Sequence, residues 1–147
     1  MNRNGEILNR IEELLERPCW VIDLLPYRVP EESAGQYFAV EEYFLKDPQN
    51  GRLRQCFAQI LLKLNCYYDF LVYLNDGETV ENPSPERLEE TILQNRGIVD
   101  IVLKEAMIVV RHDDTYMSVY DPDERLLNIL KPLAAANGLF LWKADQD

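Results

Sequence analysis

The sequence predicts an α+β domain: a mixed or antiparallel sheet of about five or six strands, with helices packed on one side. Three observations carry that expectation. Apolar residues recur at helical spacing in residues 7–15 and 53–64. Between and after these stretches lie short runs that alternate in polarity and are bounded by Asn, Asp, Gly or Pro. The C-terminal third reads as β-hairpin, helix, strand. At 147 residues the chain fits a single globular domain spanning residues 1–147.

Ile7, Leu8, Ile11, Leu14 and Leu15 mark the first helix, which Pro18 closes. "CWVIDLLP" follows, with strand character up to Pro26, and residues 26–35 form a polar loop. In "QYFAVEEYFL", residues 36–45, the aromatic enrichment and the bounding Gly35 and Pro48 favour a strand over a helix. From Gly51 an apolar stripe of Leu53, Phe57, Ile60, Leu61 and Leu64 defines an amphipathic helix. "YYDFLVYLN" is a strand entering a turn at Asn75-Asp76-Gly77. Ser84 then caps a helix that has Pro85 at its first position and Glu86 in its first turn, and Gly97 ends it. Residues 98–105, "IVDIVLKE", fit a strand or a helical turn equally.

The hairpin has the most specific pattern. Counting outwards from a turn at Asp113-Asp114, Val110 faces Met117 and Ile108 faces Val119, so one face of the sheet is wholly apolar. The other face pairs Arg111 with Tyr116, Val109 with Ser118 and Met107 with Tyr120. Asp121 at the cap, Pro122 at the first helical position and Glu124 at the third start a helix that buries Leu126, Leu127, Leu130, Leu133 and Ala134. Gly138 stops it, and "LFLWK" is expected to return beside the hairpin as a parallel neighbour.

The composition excludes several function classes. Fifteen Lys and Arg against 26 Asp and Glu give a net charge of −11, a poor match for a phosphate backbone. No apolar run approaches the ~20 residues of a membrane span, and the N-terminal segment reads as a helix and not as a leader. Cys19, Cys56 and Cys66 lie in apolar runs without C-x-x-C spacing, as free thiols in a reducing cytoplasm would. The lone histidine, His112, is too little for zinc, and no Gly-punctuated acidic loop suggests calcium. Nucleophile elbows and phosphate-cradling glycine loops are absent. The expectation is therefore no cofactor, no metal and no catalytic constellation.

Two expectations for a site remain. Arg111, Tyr116 and Tyr120 on the outer hairpin face form an interaction surface, because Tyr and Arg are enriched at binding hot spots. Carboxylates inside apolar runs, Asp23, Glu41 and Glu42, together with Tyr37, Tyr43 and His112, outline an aromatic pocket. The first fits a non-catalytic protein–protein interaction or regulatory module, in concrete form an acidic inhibitor or immunity-type protein for a basic partner. The second fits a small-molecule binder or enzyme. A homodimer formed through the outer hairpin face is the third alternative.

Overall fold

A computed structural model describes residues 3–94 and 96–144. Its helices are α1 (Arg3–Leu14), α2 (Ala34–Phe44), α3 (Gln49–Leu64), α4 (Pro85–Gln94) and α5 (Glu124–Ala136). Its strands are β1 (Cys19–Asp23), β2 (Leu71–Leu74), β3 (Thr79–Glu81), β4 (Ile98–Leu103), β5 (Ala106–Arg111), β6 (Met117–Tyr120) and β7 (Phe140–Lys143). The strands form one sheet in the order β3-β2-β4-β5-β6-β1-β7, and every neighbouring pair is antiparallel. The α+β class is as expected. Seven strands replace the expected five or six, because 98–103 resolves to a strand and 79–81 adds a short edge.

The hairpin register is the one read from the sequence: Val110 opposite Met117, Ile108 opposite Val119, Val109 opposite Ser118 and Met107 opposite Tyr120. Because side chains alternate across a strand, this register sorts the sheet into two faces. One face carries Ile22, Val72, Val99, Ile101, Ile108, Val110, Met117 and Val119 into the main core beneath α3, α4 and α5. The predicted helical layer is this side. On the opposite face α1 lays Ile7, Ile11 and Leu14 over Val102, Met107 and Val109, with Tyr120 packed at the margin. The Arg10 guanidinium donates to the Lys104 carbonyl and ties α1 to the β4–β5 turn. The outer hairpin face is therefore already partly occupied by the chain's own first helix, which leaves less of it for a dimer contact.

Residues 36–45 are a correction: they belong to α2, not to a strand. Tyr37, Glu41, Phe44 and Leu45 turn inward at helical spacing, while Phe38, Val40 and Tyr43 stay exposed. The inward stripe contains a carboxylate and the exposed positions include the aromatics Phe38 and Tyr43, so the helix lacks the usual amphipathic contrast. Local pairs support it: the Tyr37 hydroxyl donates to Glu41 Oε2 at 3.3 Å, and Lys46 Nζ lies 3.2 Å from Glu42 Oε1.

The start of α5 is shifted as well. Asp123, not Asp121, is the cap, its carboxylate accepting the Leu126 N–H at 2.8 Å. The Asp121 N–H donates to the Pro18 carbonyl at 2.9 Å, so the β1–β6 pairing holds Asp121 at the sheet's end and delays the helix by two residues. At the other end the Gly138 N–H reaches the Ala135 carbonyl and the Leu139 N–H reaches Ala134. Gly138 has φ 72°, the left-handed conformation that this double closure demands. The chain then enters β7, which pairs with β1 and not with the hairpin. β7 does run parallel to β6, but β1 fills the position between them because its Val21 and Ile22 pair on both sides.

Candidate functional site

Two groups of residues meet at the end of the sheet where β1 finishes and the β5–β6 connection turns. The first is the hairpin tip. The Asp114 N–H donates to the Arg111 carbonyl at 3.3 Å, closing a turn one residue earlier than the sequence suggested. His112 is exposed there, and its backbone N–H reaches the Gly97 carbonyl. Among the described residues no three His, Cys, Asp or Glu side chains are placed to hold a metal. The tip is held instead by Arg54, a residue of α3 outside the apolar stripe read from the sequence. Arg54 is 3% exposed, donates to the carbonyls of Arg111 at 2.7 Å and Asp114 at 3.2 Å, and stacks 5.6 Å from the Phe57 ring centroid. Burial pushes its pKa down, and the charges of Asp114 and Asp113 act against that. The signal was present: residues 54, 57, 58 and 61 follow the i, i+3, i+4, i+7 spacing of a buried stripe.

The second group is a pocket of about 270 Å³ among β1, the 24–33 loop, the first turn of α2 and β7. Asp23 and Tyr37 line it. Asp23 is buried at the end of β1, and its Oδ1 accepts the Leu24 N–H at 2.7 Å. Loss of solvent pushes its carboxyl upward, backbone N–H groups of Leu24 and Leu25 pull it down, and Glu41 pushes it further up. Tyr37 is pushed up to about 12 by burial first, then by the charges of Glu41 and Asp23. Glu41 thus stands beside the pocket, bonded to Tyr37. Glu42, Tyr43 and His112 do not join them: Glu42 pairs outward with Lys46, the Tyr43 hydroxyl accepts from Gln49 Nε2 at 2.9 Å, and His112 is at the hairpin tip. Sequence reading missed Trp142 and Tyr27, both of which line the cavity. The Trp142 Nε1–H donates to the Leu25 carbonyl at 2.9 Å and fixes the indole there.

The expected surface of Arg111, Tyr116 and Tyr120 is a contiguous group, but only Arg111 is exposed. Tyr116 and Tyr120 are half-buried, and burial raises both phenols while Arg111 lowers them. The Arg111–Tyr116 stack is not formed. The guanidinium–ring contacts seen among the described residues are Arg54 over Phe57 and Arg125 over Tyr68. Arg111 Nε instead lies 4.0 Å from Asp114 Oδ2, and its charge also acts on Asp100.

Asp100 is in the middle of β4, on the face that α1 partly covers, opposite Tyr73 and Val109. Burial raises its carboxyl to about 6, with Arg111 opposing. A carboxyl whose folded pKa lies above its unfolded value binds protons more readily in the native state. Its stabilising contribution is present below about pH 4 and is lost as pH rises through about 6. Asp100→Asn is expected to be more stable than the natural chain at pH 7.5, by on the order of 1 kcal/mol after allowing for solvent screening. Urea midpoints of the two proteins should converge near pH 4, and a gap independent of pH would refute the assignment.

Among the described residues no helix is long and apolar enough to cross a membrane. Cys19, Cys56 and Cys66 are free thiols; Cys66 is exposed, not packed as its apolar run suggested. Comparison with known proteins finds no matching family model, no matching curated protein and no matching solved structure.

Proposed function

We infer that this chain is a non-catalytic protein–protein interaction module whose acidic surface draws a basic partner onto the outer face of α2. One observation carries the reading: α2 buries none of its residues and turns Phe38, Val40 and Tyr43 to solvent. Phe38 is 61% exposed and with Val40 and Tyr43 places three exposed hydrophobic side chains on one short helix, surface that a partner can cover. The net charge of −11 supplies long-range attraction for a basic protein and disfavours acidic ones. An inhibitor or immunity-type protein for a basic toxin or nuclease is the concrete form of such a module. The surface proposed here replaces the outer hairpin face, where only Arg111 remains open.

The test is a pull-down from native lysate with the natural chain and with the double variant Phe38→Gln, Val40→Gln as baits. Both positions are exposed, so the variant's stability should stay within about 0.5 kcal/mol of the natural chain. A basic partner should be retained in stoichiometric yield by the natural chain at low salt, released at higher salt, and absent from the variant. Equal capture by both baits would overturn the reading. Light scattering on the two proteins separates it from self-association, which would show as a dimer lost in the variant.

A further inference from the structure

We propose that the pocket among β1, the 24–33 loop, α2 and β7 receives the side-chain ammonium of a lysine carried by the basic partner. This rests on the reading of the chain as an interaction module and names the chemistry of its partner's anchor.

The argument is one of donors, acceptors and size. Tyr27, Tyr37 and Trp142 contribute three aromatic rings to the cavity, and Asp23 contributes a buried carboxylate. Tryptophan has a single donor, and that of Trp142 is committed to the Leu25 carbonyl. The Tyr37 hydroxyl is likewise committed to Glu41. What these two residues have left for a ligand is the negative face of a ring and, on Tyr37, the acceptor lone pairs of the hydroxyl, which attract cations and not anions. Asp23 adds an acceptor-only group, and Glu31 a second carboxylate in the lining. Among the described residues Arg28 is the one cation in the lining, so the carboxylates outnumber it, and Glu41 adds another negative charge close to Asp23. The pocket is therefore complementary to a cation with an aliphatic stem, and Val29 and Pro30 offer apolar contact for such a stem.

Size narrows the choice. A cavity of about 270 Å³ lies just below the roughly 300–1,000 Å³ range of drug-sized ligand pockets. It holds the volume of roughly nine waters, taking about 30 Å³ for each. A butylammonium chain fits that space, and the lining carboxylates Asp23 and Glu31 disfavour the phosphates of a nucleotide. The pocket is open to the surface at the first turn of α2, on the side of Ala34 and Tyr37, so a lysine from a protein that covers that end of the helix can enter it.

The test is an NMR titration of the full chain, read on the indole N–H resonance of Trp142, with that of Trp20 as the internal reference. The probes are a capped Gly-Lys-Gly peptide, the matching Gly-Glu-Gly peptide and tetramethylammonium chloride. The lysine peptide should shift the Trp142 signal saturably while Trp20 and the glutamate titration stay flat. Asp23→Asn, a near-isosteric change, and Tyr27→Ala, at a 70% exposed position, should each weaken the response at least tenfold. A flat lysine titration would overturn the proposal, as would an equal response to the glutamate peptide or unchanged affinity in both variants. A response to tetramethylammonium alone would also overturn it and assign the cavity to a free small cation. Failure of the interaction reading shows separately, as equal capture by the α2 variant in the pull-down.

Discussion

Replacing Phe57 by alanine is expected to remove about 3–5 kcal/mol of stability, the largest effect of any single truncation considered for this chain. Phe57 is completely buried on α3, within the cluster that joins that helix to the sheet. Its loss combines the transfer free energy of the ring with the cost of a cavity that fixed strands cannot collapse to fill. For a domain whose total stability is on the order of 5–15 kcal/mol, that is at least about a fifth of the whole. Tm should fall by on the order of 10 °C, and the urea midpoint should fall in proportion with an unchanged slope. An unchanged midpoint would show that α3 does not anchor the core as described.

Arg54→Met should cost about 3 kcal/mol, although it makes a buried position more apolar. Methionine nearly fills the volume but withdraws the charged donor from both carbonyls, leaving Arg111 with the Asp114 N–H alone and Asp114 without the guanidinium. Each unsatisfied buried acceptor costs about 1–3 kcal/mol. Lysine in place of arginine should recover little, because both bonds come from Nη2 at the far end of the side chain, which the shorter lysine does not reach, and an ammonium lacks the planar group that stacks on Phe57. Amide exchange across residues 111–116 should accelerate in the variant more than exchange in β4 or β5. Since Arg54 stacks on Phe57, the double variant should lose less than the sum of the two single losses. Strict additivity in that cycle would remove the stack from the account.

The hairpin was legible because its two apolar rows obey a period of two without exception around a short turn. Ile108, Val110, Met117 and Val119 could face the core in only one register. Residues 36–45 were misread for the opposite reason. A polarity count searches for apolar residues on the inward stripe, and here Glu41 occupies that stripe while Phe38 and Val40 point out. The pocket was half legible. Asp23, Tyr37 and Glu41 drew attention as polar groups in apolar runs, and they do converge. Trp142 and Tyr27 were invisible because their approach depends on β7 pairing with β1, and local pattern placed that strand beside the hairpin. Arg54 was missed because a charge on a helix is ordinarily a solvated one; only its spacing with Phe57, Ala58 and Leu61 gave it away.

The position of β1 has a consequence for how the chain assembles as it is made. Strands β2 to β6 are each hydrogen-bonded to near neighbours in the chain, so that block can zip up from short loops. β1, made early, has partners only at 117–120 and 140–143. It has to wait, with Val21 and Ile22 uncovered, until residues 140–143 have left the ribosome. Closing so long a loop raises the entropic cost only logarithmically, but it makes the step slow. The insertion of β1 between β6 and β7 is thus the late event of folding, and it completes the pocket in the same step. Asp23 arrives on one strand and Trp142 on the other, so the pocket forms only when the whole sheet has closed.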